Sequence, residues 1–147
     1  MRWLLESPAH WPLSRWFAVL VWSGRKTRRR YSTPVSYVRE GASSYVTTGD
    51  RWWRNLIGGA PVALRIAGRW HQGHAVVITD PEESQVEHER LFREHPWFRV
   101  LAGVPRGQRG GPDRDAVDRS VAAGRVLVRI EGLQRNSAYR SRPSDMP

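Results

Sequence analysis

Short runs in which apolar and polar residues alternate, cut by glycine and proline, most limit how this chain can fold. "FAVLVW", Phe17 to Trp22, is apolar and partly β-branched and stops at Gly24, as a buried strand does. Alternation follows in "YSTPVSYVRE" and "SYVTT", with Gly41 turning the chain between them. Pro34 marks an edge or a bulge, because proline has no N–H to give to a ladder. Val62, Leu64 and Ile66 alternate, Gly68 turns, and Trp70 to Ile78 alternates again, which predicts a hairpin. "RVLVRIEG", Arg125 to Gly132, reads as the last strand. Antiparallel neighbours with one late returning strand predict a mainly β (α+β) fold. The expected form is a six-stranded antiparallel split β-barrel with two or three peripheral helices.

Helical patterning fills the gaps. "ESPAHWPLSRW" has Ser7 as a cap and Pro8 as first helical residue. Asp50 is expected to cap a short helix carrying Trp52, Trp53 and Leu56, which Gly58 and Gly59 stop. "DPEESQVEHERLFREH" is the clearest helix. Asp80 caps it, Pro81 opens it, and Glu82 and Glu83 complement its positive end. Val86, Leu91 and Phe92 are expected to form its apolar stripe, and Pro96 to end it. A further short helix is expected over 115–123. One domain over 7–133 accounts for these elements, followed by a polar tail over 134–147.

Composition narrows the chemistry. A 147-residue chain with 39% hydrophobic content can build a core, and without cysteine it has no disulfide or thiolate chemistry. The formal charge of +10 favours an anionic partner. However, 23 of the 24 basic residues are Arg, spread along the chain rather than gathered on one helix, so nucleic acid is not the expected partner. The apolar run Trp16 to Trp22 is far short of the about 20 residues that span a bilayer. No small-residue cleavage site follows it, and a cytoplasmic protein without stable membrane insertion is expected.

Local motifs leave two features open. Arg25, Lys26, Arg28, Arg29 and Arg30 crowd the turn after Gly24. Such a turn can present N–H groups and cations to a phosphate, or it can be a solvated hairpin tip. Trp52 and Trp53 can stack on a planar ring, with Thr47 and Thr48 bonding its edge, or they can fill a core and an interface. No metal site is expected from the five His residues: His71 and His74 fall on opposite faces of a strand, and His88 and His95 read as surface polarity. Neither a P-loop nor a G-x-S-x-G elbow is present.

Taken together, "SGRKTRRRYSTPVSYVREG" (Ser23 to Gly41) and "WWRNLIGGAPVAL" (Trp52 to Leu64) resemble the two signatures of the deazaflavin-dependent nitroreductase family. That family lies within the flavin- and deazaflavin-binding split barrels related to pyridoxamine phosphate oxidase. The resemblance covers residues 7–133. It implies reduced coenzyme F420 as cofactor, with FMN as the alternative, and hydride transfer to an electron-poor small molecule such as a quinone or enone. It also implies roles by position. Arg25, Lys26 and Thr27 would take the cofactor phosphate, and Thr33 and Pro34 would line the ring pocket. Val46, Thr47 and Thr48 would bring backbone groups to the ring edge, and Trp52, Trp53 and Asn55 would shape the pocket floor.

The chain departs from the family in three places. Tyr31 stands at a family Arg, only Gly49, Asp50 and Arg51 separate Thr48 from Trp52, and "EHPWFRVLAG" lacks the Tyr residues of nitro-reducing members. Nitro-reduction is therefore not expected, and no catalytic residue is assigned. Rival readings are a split barrel that holds a flavin or haem without turnover, and a nucleic-acid-binding barrel using Arg25 to Arg30. Split barrels often pair about a two-fold axis, and Trp11, Trp16 and Trp70 could contribute to a homodimer.

Overall fold

The computed structural model describes residues 17–24 and 29–135. Six strands close into one antiparallel barrel: β1 (Phe17–Ser23), β2 (Arg30–Glu40), β3 (Ser43–Thr48), β4 (Ala60–Ile66), β5 (Arg69–Ile78) and β6 (Val126–Arg135). Their order around the barrel is β1-β2-β3-β6-β5-β4, so the last strand enters between β3 and β5. This is the expected split barrel, and among the described residues it has three α-helices: α1 (Pro81–Glu94), α2 (Pro96–Leu101) and α3 (Arg114–Ala122). The expected helix before Trp16 lies outside the described residues.

Alternation decides which side chains fill the barrel. Ala18, Leu20 and Trp22 point inward from β1 and meet Val35 and Tyr37 of β2, Val46 of β3, Val62 and Leu64 of β4, Ala75 of β5, and Val128 and Ile130 of β6. The outward residues Val19 and Val21 are also buried, packed with Ala63, Phe17 and Trp70. Burial on both faces explains why β1 is apolar almost throughout rather than alternating.

The helices cover the outer face of the sheet. A second core joins Val38, Ile78 and Leu127 of the strands to Leu91, Phe92, Phe98 and Val117 of the helices. In α1, Asp80 accepts a hydrogen bond from the Glu83 N–H at 3.0 Å, and Pro81 opens the helix, as the sequence predicts. The buried stripe differs from the expected one. It consists of Ser84, His88, Leu91 and Phe92, whereas Val86 is 62% exposed. Spacings of four, seven and eight keep the first set on one face, and Val86 falls to its side. Pro96 does not simply end this helix: it is the first residue of α2, whose Phe98 is fully buried.

One further boundary shifts. β6 runs three residues past Gly132, to Arg135, because Gly132 (φ +62°) absorbs a bulge and pairing resumes at Gln134↔Gln72. Opposite that bulge sits Gly73, where a Cβ would lie 2.6 Å from Ile130 Cγ2 and 3.0 Å from the Glu131 carbonyl oxygen. Only glycine lets β5 and β6 approach this closely.

Candidate functional site

The register of β2 creates the opening. From Arg30 to Ser36 the strand pairs with β1, and from Tyr37 to Glu40 with β3. The last β2–β3 pair is Tyr37↔Val46, while Thr47 and Thr48 continue along β6 as partners of Leu127 and Val126. Beyond Tyr37 the strands diverge and form a seam. One lip carries Thr33, Pro34 and Ser36; the other carries Thr47 and Thr48. In a strand, alternate residues direct their N–H and C=O groups to opposite sides. Each lip thus offers backbone polar groups that no strand among the described residues takes up across the seam, and Pro34 adds no donor of its own.

At this end the β1–β2 hairpin projects past the end of β3, and Gly24 N–H donates to the Arg29 carbonyl at 2.7 Å. Arg25, Lys26 and Thr27, the expected phosphate ligands, lie outside the described residues. Below the hairpin, Trp22 stacks on Tyr31 (centroids 5.8 Å apart, planes at 21°) and meets Trp52 at 5.3 Å. Trp22 is buried, and its Nε1–H has no hydrogen-bond partner among the described residues. A buried indole donor normally finds an acceptor. Sequence reasoning did not select Trp22 or Tyr31; the signal available was the Trp22↔Tyr31 cross-strand pair that follows from a hairpin closing at Gly24.

Trp52, Trp53 and Asn55 sit on a 3-10 turn, Trp52–Leu56, rather than an α-helix. Leu56 is fully buried and seats the turn on the barrel core. Asp50 does not cap it: the residue before the turn is Arg51, and the Asp50 N–H instead donates to Thr48 Oγ1 at 3.0 Å. Both indoles are half-buried; Trp52 leans on Trp22, and Arg54 lies over the Trp53 ring at 5.8 Å. Asn55 Nδ2 donates to the Trp52 carbonyl at 3.2 Å and braces the turn.

The β3 residues divide by face. Val46 is fully buried inside the barrel, and Thr48 is spent on Asp50. Thr47 points outward into a buried polar chain. Its Oγ1 is 2.8 Å from His88 Nε2, and His88 Nδ1 is 2.8 Å from the Ser84 carbonyl. A carbonyl only accepts, so Nδ1 carries the proton, Nε2 accepts from the Thr47 hydroxyl, and the Thr47 oxygen accepts from Arg125 Nη1 at 3.1 Å. His88 is fully buried, not a surface residue as its lone spacing suggested. Burial lowers its pKa to about 4, so it is neutral at pH 7. The same burial lowers the Arg125 pKa, with Asp50 acting in the opposite direction.

A groove of about 820 Å³ opens beside the hairpin base, lined by Trp22, Ser23, Arg30, Ala63, His74 and Gln134 among others. None of the expected site residues that the structure describes lines it. It meets the seam region at Trp22, whose ring touches Trp52.

At the far end of β2, Glu40 is held by Arg90 Nη1 at 3.1 Å and His95 Nε2 at 3.0 Å. Burial raises the Glu40 pKa, but the hydrogen bonds from His95 and Arg90 outweigh it and bring the carboxyl below its ordinary value. Glu40, Glu94 and His95 lie close enough to share a cation, yet the Arg90 guanidinium already bridges both carboxylates. This cluster is an anchor between α1 and β2. Among the described residues no helix is long and apolar enough to cross a membrane.

No protein-family model matches this sequence, and no curated protein does. Solved structures do share its architecture. The heme storage protein HutZ from Vibrio cholerae superposes with a TM-score of 0.53 at 13% identity, over 85% of this chain and 87% of that one. A conserved hypothetical protein from Mycobacterium tuberculosis gives 0.52 at 16% identity, over 86% and 80%. A protein of unknown function from Agrobacterium tumefaciens gives 0.51 at 17%, over 89% of this chain but 54% of its own length. At these identities the likeness is one of fold, and the fold they share with this chain is the split β-barrel.

Proposed function

We propose that the open end of the barrel holds a planar, anionic redox cofactor, reduced coenzyme F420 or in its place FMN, for hydride transfer to an electron-poor small molecule. What supports this reading is that β2 leaves β3 on the Ser36 side of Tyr37, so that Thr33 and Pro34 of the first signature lie along an unpaired edge, and that Trp52 of the second signature meets Trp22 of the neighbouring strand. The residues fit such a group. Tyr31 and Trp52 flank the buried Trp22 with partly exposed rings, the Trp22 Nε1–H lacks an acceptor among the described residues, and the seam lips carry backbone donors and acceptors. Arg25, Lys26 and Thr27 of the hairpin suit its phosphate.

The bound deazaflavin or flavin would supply the hydride chemistry. The protein's own residues bind and orient. Thr33 and Pro34 line one side of the ring space, and Thr47 and Thr48 bring main-chain groups to the other. Trp52 and Trp53 exclude water from the floor, with Asn55 bracing them. Catalysis on this reading rests on placement, because no described side chain at the seam is set up as a general base.

Purified protein titrated with F420 and, separately, with FMN tests this by cofactor absorbance and tryptophan quenching. A quinone or enone is then added to the reduced complex. Saturable binding, lost in the Arg25→Gln/Lys26→Gln double variant, with acceptor-dependent cofactor oxidation is the expected result. Binding without oxidation across several acceptors would select a carrier or storage role. No binding of either cofactor would end the proposal.

A further inference from the structure

Arg90 and Arg125 are both partly withdrawn from solvent, but they are satisfied differently. Arg90 meets three carboxylates, those of Glu40, Glu87 and Glu94, at 3.0–3.1 Å. Arg125 donates only to neutral oxygens: Thr47 Oγ1 at 3.1 Å and, more weakly, the Ala102 carbonyl at 3.4 Å. Among the described residues no carboxylate lies within ion-pair distance of it; Asp50 acts on it from farther away and is itself exposed. A guanidinium has five donors, and withdrawing its charge from water is costly unless an anion answers it.

Its surroundings fix its place. Gly124 (φ +108°) ends α3, and the Arg125 N–H donates back to the Ser120 carbonyl at 3.0 Å. The side chain is therefore directed from a rigid cap. Its partner Thr47 is the first residue of β3 beyond the last β2–β3 pair. Thr47 cannot rotate its lone pairs away, because its proton is committed to His88, which is committed to Ser84. The chain Ser84–His88–Thr47 thus holds the guanidinium at the outer lip of the seam. It also leaves Thr47 no donor for a ligand, so on this lip the side-chain N–H groups are those of Arg125 rather than a Thr47 hydroxyl.

We infer that Arg125 is an anion-binding residue of the seam, and that the molecule meeting the cofactor there carries a carboxylate. Arg125, just before β6, then puts positive charge on the β3–β6 side of the opening. A carboxylate suits it, because a planar guanidinium can grip one with two donors. This assignment rests on the seam being the ligand site. Bridging α2 to β3 is the structural part of the same side chain's role, and it does not require a charge.

The test is calorimetric titration of the full chain, first without cofactor, using a naphthoquinone carboxylate and its methyl ester. Wild type should bind the carboxylate about ten-fold or more tightly than the ester, as charge-assisted hydrogen bonds allow. Arg125→Gln should erase that preference, and Arg125→Lys should keep part of it, with melting curves showing both variants folded. Bridging alone would leave the carboxylate-to-ester ratio unchanged. Equal binding of the two probes by wild type, no binding of either, or a preference that survives in Arg125→Gln would each overturn the inference. If Arg125→Gln weakens F420 as much as it weakens the carboxylate, the anion belongs to the cofactor and the assignment to a second molecule falls. A carboxylate preference in a protein that binds neither F420 nor FMN would sink the proposed function and leave this inference standing.

Discussion

From Tyr37 to Glu40, β2 is paired with β3 and held from outside by α1; from Arg30 to Ser36 the same strand is paired only with β1. The first half ends in the Glu40–Arg90–His95 cluster and buries Val38 beneath the helices. The second half carries Tyr31, Thr33 and Pro34 along an edge that no strand among the described residues pairs with. Stability and accessibility are thus divided along one strand. The anchored half lets the other half remain open, since an isolated free edge would otherwise invite pairing with another chain.

The largest break in this contrast should come from the helical layer. Phe92→Ala removes a fully buried ring from the core that presses on Val38 and should cost about 3–5 kcal/mol in urea unfolding. A loss below about 1 kcal/mol would mean that the layer does not anchor β2.

Acid should act next, through His88. Its pKa is lowered from 6.5 to about 4 in the folded protein, so between those values the unfolded chain binds the proton more readily. The stability is present above pH 6.5 and is lost as pH falls toward 4, by about 3 kcal/mol. Urea midpoints across that window should fall in wild type and change less in His88→Asn. Equal slopes in the two proteins would remove His88 as the cause.

Smaller effects separate the two halves directly. Glu40→Gln should cost about 1 kcal/mol, because Arg90 keeps Glu87 and Glu94. It should leave cofactor affinity at the open end unchanged. Tyr31→Ala should do the reverse. Its ring is 38% exposed, so stability should shift by only about 0.5 kcal/mol, while F420 or FMN binding weakens several-fold as the stack on Trp22 is lost. A variant at either residue that moves both quantities together would show that the halves are not independent.

Much of this was legible before folding was considered. The alternation of β2 to β5 and the Asp80–Pro81 start of α1 emerged with nearly the expected bounds, because period and capping are properties of neighbours along the chain. The errors have the same origin. Asp50 looked like a cap, but its N–H is taken by Thr48 and a 3-10 turn begins at Trp52. Val86 looked like core, and His88 like surface, since hydrophobicity alone orders them that way. The buried face of α1 was decided instead by which residues meet Thr47, Ile78 and Leu127.

What the sequence determined by itself was the set of parts: six strands, a charged turn after Gly24, two adjacent indoles, and a well-capped helix. Tertiary structure decided where β2 changes partner, that Trp22 rather than Trp53 meets Tyr31 and Trp52, and that Arg125 stands beside Thr47, 78 positions away along the chain. The reason is physical. Periodicity and capping act over a few residues, whereas strand register and the hydrogen bonding of a partly buried cation depend on groups that only closure of the barrel brings together.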